Sequence, residues 1–207
     1  MGFIKKDIQA PNPDVQREEP AGYSELARQL ASGDPAERRW AARGLARHAE
    51  SVPILLECLA LEGDVSVREV ILTTLTRIGT GEAVAGLVDC MRNDDAELRN
   101  EAIEAMKALP DEMAPIMGVL LMDHDPDVRI LSVNILESLR HPGVESWLID
   151  VIDNDHAVNV CATAVDLLGE VGSHAARDAL LRLKRRFADE PYIQFAADLA
   201  LNRIAKA

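Results

Sequence analysis

Four segments of this chain align without gaps: DPAERRWAARGL from Asp34, DVSVREVILTTL from Asp64, DAELRNEAIEAM from Asp95 and DPDVRILSVNIL from Asp125. Their starts lie 30, 31 and 30 residues apart, and self-similarity at that period restricts a chain to repeat architectures. Each copy carries Arg four residues after the Asp (Arg38, Arg68, Arg99, Arg129), then a small or aliphatic residue at +7 (Ala41, Ile71, Ala102, Ser132) and Leu or Met at +11. Apolar positions three to four apart predict one buried stripe on a helix that begins at or near the Asp. The Asp suits the N-cap, where its carboxylate accepts free backbone N–H groups and complements the helix dipole, and Pro35 and Pro126 suit the first helical position.

Upstream of each Asp runs a second amphipathic stretch: YSELARQLA, VPILLECLALE, EAVAGLVDCM, MAPIMGVLLM and VESWLIDVI. Short turns such as ASGD, LEGD and DHDPD join the two, so each unit reads as an antiparallel helical hairpin. A fifth unit admits two registers. Counting 30 residues lands on Asp155 with Asn159 in the Arg position; the apolar pattern instead places Val160, Ala164 and Leu168 at core sites, needs a two-residue insertion, puts Cys161 where Arg would stand, and is preferred. A sixth unit pairs AARDALLRLKRRF with EPYIQFAADLALNRI, with Gln194 at its Arg position.

The pattern D-P-x-V-R-x-x-A-x-x-x-L on this period resembles the short HEAT-like repeats first described in phycobilin lyases, over roughly residues 22–207. The resemblance implies an all-α fold, an α-solenoid (superhelix) of about six HEAT-like antiparallel helix pairs. Each hairpin buries its apolar face only against its neighbours, so the second helices should line a concave side. The expected domains are a flexible N-terminal arm at 1–20, with three prolines and no helical period, and a solenoid at 21–207. The arm is either an inert tail or a docking peptide. In the family, the repeated polar residues bond between adjacent turns, which implies a structural ladder of Asp34, Arg38, Asp64, Arg68, Asp95, Arg99, Asp125 and Arg129.

Aromatics make up only 3% of the chain, so Leu, Ile, Val, Ala and Met must fill the core. Cys58, Cys90 and Cys161 form no C-x-x-C pair, which points away from disulfides or a thiolate metal site and towards a reducing cytoplasm. No stretch approaches the roughly 20 apolar residues of a membrane span, and MGFIKK has Lys6 where a myristoylation signal needs Ser or Thr. The formal net charge is −13, with 23 acids and 7 bases between 51 and 175 but 4 acids and 7 bases from 176 onward. Nucleic-acid affinity rests on Lys and Arg neutralising phosphates, so the acidic centre argues against DNA or RNA. A protein partner of basic or mixed charge is expected instead.

No nucleotide-binding loop, nucleophile elbow or H-E-x-x-H spacing occurs, so no catalytic residue, metal or cofactor is expected. DHDPD and DND lack the Gly and Glu of a calcium loop. Trp40 and Trp147 are either exposed binding anchors, since tryptophan is enriched at interface hot spots, or buried, which their place in apolar helix patterns favours. The candidate partner-binding surface is the concave row Glu69, Thr73, Asn100, Glu104, Asn134 and Glu137, with opposite charge at its ends from Arg39 and Arg43 and from Arg182, Lys184, Arg185 and Arg186. These features favour a non-catalytic adaptor or assembly factor that binds a protein on an acidic concave face. The family resemblance supplies the alternative, a lyase-like protein acting on a bilin or other tetrapyrrole.

Overall fold

The computed structural model describes residues 22–206; the expected arm at 1–20 lies outside them. Among the described residues the chain forms twelve α-helices in six successive pairs and no strand. The first helices are α1 (Tyr23–Gln29), α3 (Val52–Leu61), α5 (Gly81–Cys90), α7 (Pro110–Leu120), α9 (Val144–Asn154) and α11 (Arg177–Arg186). The second helices are α2 (Pro35–Gly44), α4 (Val65–Ile78), α6 (Ala96–Lys107), α8 (Pro126–Leu136), α10 (Val158–Val171) and α12 (Pro191–Ile204). This is the α-solenoid that the repeat implies.

Each repeat Asp is the N-cap of its second helix. Asp34 accepts the Ala36 N–H, Asp64 those of Ser66 and Val67, Asp95 those of Glu97 and Leu98, and Asp125 that of Asp127. The +7 positions Ala41, Ile71, Ala102 and Ser132 are fully buried, and the Ser132 hydroxyl donates to the Val128 carbonyl four residues back. Helix α10 starts after Ala157, and Val160, Ala164 and Leu168 are buried, which gives unit five the register with the two-residue insertion. Helix α4 ends on Gly79, whose φ of 60° lies in the left-handed region where a Cβ is unfavourable.

The second helices pack side by side at every step, whereas the first helices lean on one another less, and α7 and α9 hardly touch. Close packing of one layer and splaying of the other curve the stack, with the second helices inside. No helix among the described residues is long and apolar enough to cross a membrane.

Trp40 departs from expectation: it is 52% exposed. It stands six residues after the N-cap, where Val70 and Ala196 in other units are covered by the preceding second helix. Unit one has no preceding helix among the described residues.

Candidate functional site

The joints between units are built in the turns, around a residue two positions before the N-caps of α2, α4, α6, α8 and α10. The Ser32 hydroxyl accepts the Asp34 N–H at 3.1 Å, Glu62 accepts that of Asp64 at 2.9 Å, Asn93 that of Asp95 at 2.8 Å, Asp123 that of Asp125 at 2.9 Å and Asp155 that of Ala157 at 2.8 Å. At two of these joints, Glu62 and Asp155, the repeat arginine of the preceding unit grips the acid. Arg38 holds Glu62 with two bonds of 2.7 and 2.9 Å, and Arg129 holds Asp155 with two of 2.6 and 3.0 Å. The same guanidinium groups donate to their own turns, Arg38 to the Ser32 carbonyl and Arg129 to that of Asp123. Burial pushes the carboxyls of Glu62 and Asp155 up, but the paired guanidinium groups and the turn N–H groups outweigh it and hold both below their ordinary range.

The other two arginines differ: the turn after Arg68's unit offers Asn93 in place of an acid, and the acid after Arg99's unit, Asp123, is taken by another arginine. Arg68 meets Asn93's unit through Glu97 at 2.6 Å, Asp95 at 3.4 Å and Glu101; its Nε lies 3.1 Å from a Glu101 oxygen but is misaligned for a hydrogen bond. Arg99 donates only to the Asn93 and Asp94 carbonyls of its own turn. The acid at Asp123 is met instead by Arg92, from the end of the preceding first helix.

At unit five the ladder residue is Cys161, which is buried and whose thiol donates to the Asp155 carbonyl at 3.4 Å. Arg186 reaches back from α11 to supply the missing guanidinium. It donates to the Ile152 and Asp155 carbonyls, both at 2.8 Å, and to the Asp153 carbonyl. In unit six Gln194 takes the ladder position and donates to the Lys184 and Phe187 carbonyls. Arg182 forms two bonds with Asp153, and Lys184 pairs with Asp198. Of the basic cluster on α11, Arg185 alone has neither an ion pair nor a side-chain hydrogen bond among the described residues.

Two surfaces could hold a ligand. On the concave side the positions five and nine after each N-cap form a continuous row: Arg39 and Arg43, Glu69 and Thr73, Asn100 and Glu104, Ile130 and Asn134, Ala162 and Asp166, Phe195 and Leu199. Glu69, Thr73, Asn100, Glu104 and Glu137 are exposed, and Asn134 is half-buried. Arg39 donates to the Ser66 hydroxyl, Glu104 pairs with Lys107, and Arg43 is exposed. The row therefore runs from basic through acidic to apolar.

The second surface is a groove of about 580 Å³ where α7 and α9 part. Leu121, Met122, Trp147 and Val151 form its apolar walls, and Asp123, Asp150, Asp155, Arg129 and His156 its polar edge. Pro115 within α7 lacks an N–H for the helix ladder, and Gly118 contributes an open wall, since a Cβ there would meet nothing within 4 Å. The Trp147 ring stacks on His141 with centroids 4.9 Å apart and planes 7° from parallel. The Gly143 N–H donates to His141 Nδ1 and fixes that ring in place. Sequence patterns marked Trp147 as helical and apolar, but nothing in them signals that two neighbouring first helices separate here.

Burial raises the thiols of Cys58, Cys90 and Cys161, so none is poised as a nucleophile. Among the described residues, no group of three or more His, Cys, Asp or Glu side chains is arranged to hold a metal ion.

A family model described as HEAT repeats matches residues 23–107 and 114–204, well over half of the chain. The bilin biosynthesis protein PecE of Mastigocladus laminosus is 28% identical over 159 residues, covering 75% of this chain and 59% of that protein, so the chain spans less than two thirds of this curated relative. Among solved structures, the archaeal HEAT-like repeats protein of Thermococcus onnurineus NA1 matches with a TM-score of 0.49 at 15% identity, covering 89% of this chain and 87% of that one. The complex of CpcE and CpcF of phycocyanin lyase from Nostoc sp. PCC7120 matches with a TM-score of 0.39 at 17% identity, covering 96% and 98%. With the repeat period, the capped hairpins and the family match in agreement, the chain belongs to the HEAT-repeat family.

Proposed function

We propose that this chain is a lyase-like protein that handles a bilin or another open-chain tetrapyrrole. The observation that carries the reading is its similarity over 159 residues to a bilin biosynthesis protein. The groove between α7 and α9 is the place for such a ligand. Its volume falls within the roughly 300–1,000 Å³ of small-molecule sites, and its walls are apolar with few polar groups, as such sites usually are. Trp147 offers a flat face to a conjugated ring system, and the exposed Asp150 carboxylate can accept pyrrole N–H groups. Arg129 and Asp155 are engaged with each other and serve as a rigid edge. The groove's proposed task is to bind and orient; no residue in it is assigned to bond making.

Titration with biliverdin tests this directly. Binding is expected to shift the pigment's absorbance, induce circular dichroism in its visible band and quench Trp147 fluorescence in a Trp40→Phe background. Gly118→Leu puts a bulky side chain on the groove wall at a position where the Cβ itself meets nothing within 4 Å, and should abolish all three signals while helicity is kept. Unaltered pigment spectra at tens of micromolar protein would remove the bilin reading.

A second reading, a non-catalytic adaptor or assembly factor, is favoured by the acidic run Glu69, Glu104 and Glu137 on the concave face. It calls for a partner of basic or mixed charge and for salt-sensitive capture. Reversing these three charges together should abolish capture; retained capture would take the row out of the reading.

A further inference from the structure

The concave row ends on a surface for which a water-exposed solenoid has no internal use. Tyr192, Phe195 and Leu199 lie on one face of α12 and are 53%, 67% and 50% exposed. The first five units place Arg39, Glu69, Asn100, Ile130 and Ala162 where Phe195 stands. Phe195 is thus the one aromatic at that position, and it sits in the most exposed setting of any phenylalanine or tryptophan described. Contiguous exposed apolar side chains next to polar ones mark interaction sites rather than stable solvated surface.

The neighbouring units supply the opposite chemistry. Between α8 and α10 a cleft of about 260 Å³ opens on the same face, edged by Glu137, Asp166 and Glu170. The Tyr192 hydroxyl donates to Asp166 at 2.7 Å and so joins the apolar patch to the acidic cleft. Glu137 and Glu170 are exposed and have no ion-pair partner among the described residues. Position eight after the N-cap, buried in the first five second helices (Ala42, Leu72, Ile103, Val133, Val165), carries the polar Asp198 in α12, paired with Lys184; the patch instead occupies positions five and nine, which are exposed or half-buried in every unit.

We propose that this end of the concave face docks a partner protein through an extended segment with an apolar anchor followed by cations. The anchor seats on Phe195 and Leu199, and Lys or Arg side chains enter the cleft at Asp166, Glu170 and Glu137. Adjacent second helices lie about 10 Å apart, and an extended chain advances about 3.3 Å per residue. The cations therefore follow the anchor at intervals of about three residues, the first meeting Asp166 and Glu170 on α10 and the next Glu137 at the end of α8. This rests on the reading that the concave face holds protein, and adds the orientation and sequence character of what it holds.

The test uses fluorescein-labelled 12-residue peptides carrying Leu-Phe at one end and Lys at every third position, compared with a Glu-for-Lys version and one with the Leu-Phe pair moved to the opposite end. Anisotropy should show salt-sensitive binding of the first, with the other two at least about tenfold weaker. Phe195→Ser with Leu199→Ser, and separately Glu137→Lys with Glu170→Lys, should each weaken it about tenfold, with helicity unchanged by circular dichroism. No binding of the Lys peptide at 100 µM peptide (about the weakest affinity this surface should give), or binding indifferent to both variants, overturns the proposal. Binding seen only after residues 1–21 are deleted also overturns it, because the occupant would then be the chain itself. If the Phe195 and Leu199 variant captures its partner normally while reversal of Glu69, Glu104 and Glu137 abolishes capture, the general protein-binding reading stands and this docking surface falls.

Discussion

Replacing Arg129 by alanine removes two bonds to Asp155 and one to the Asp123 carbonyl, at a joint where the paired side chains are only 15% and 6% exposed. Asp155 would keep its turn N–H donor from Ala157 but lose its counter-charge in a poorly hydrated position. Hydrogen bonds to charged groups are worth about 1.5–3 kcal/mol, and an abandoned buried partner adds to the cost, so a loss of about 3 kcal/mol is expected. Arg99 occupies the same ladder position but bonds only to carbonyls of its own turn, so Arg99→Ala should cost about 1 kcal/mol. Urea unfolding followed by far-ultraviolet circular dichroism reads both. A double-mutant cycle with Asp155→Asn isolates the cross-unit pair, whose coupling should exceed about 1 kcal/mol. If Arg129→Ala costs no more than Arg99→Ala, or the coupling falls below about 0.5 kcal/mol, the cross-unit pair does not hold the joint.

Other outcomes follow from the same geometry. Arg186→Ala should destabilise by about 1–2 kcal/mol in the same urea assay because three turn carbonyls lose their donor, whereas Arg185→Ala should leave the curve in place. Gly79→Ala forces a Cβ into the left-handed region and should cost about 1 kcal/mol by thermal unfolding. Ser132→Ala, whose hydroxyl bonds only its own helix, should stay within about 0.5 kcal/mol of the parent. Glu62 and Asp155 have folded pKa values below their unfolded ones, so their stabilisation is complete above about pH 4–5 and is lost as pH falls through the folded values. Glu62→Gln and Asp155→Asn should each flatten the acid limb of stability measured between about pH 5 and pH 2.

The hairpins were legible because capping and apolar spacing are local. Asp34, Asp64, Asp95 and Asp125 each sit a fixed distance from a buried +7 and +11 residue, so one pattern carried both helix start and core face. The joints were only half legible. The arginines stood out, but their acceptors Glu62 and Asp155 differ in residue type and lie before the aligned segments. A polar residue two positions ahead of the first five second-helix caps, running Ser32, Glu62, Asn93, Asp123 and Asp155, is a signal that the sequence does contain. It would have fixed the register of unit five, and with it the concave acids Asp166 and Glu170. The roles of Arg182, Lys184 and Arg186 depend on which turns α11 reaches, and the groove depends on the parting of α7 and α9. Both are set by how whole hairpins stack, which local spacing does not encode.

Arg186 has a bearing on how short the array can be. In a repeat array each unit contacts only its neighbours, so the loss of a terminal unit is felt through the one interface it makes. Here the turn within unit five is completed from unit six, so clipping the last hairpin would take the guanidinium from three carbonyls in the one before it. The final two hairpins should therefore open together. Under stress the array should fray from its N-terminal units and hold at this end, with the groove beside Trp147 next to the part that melts last.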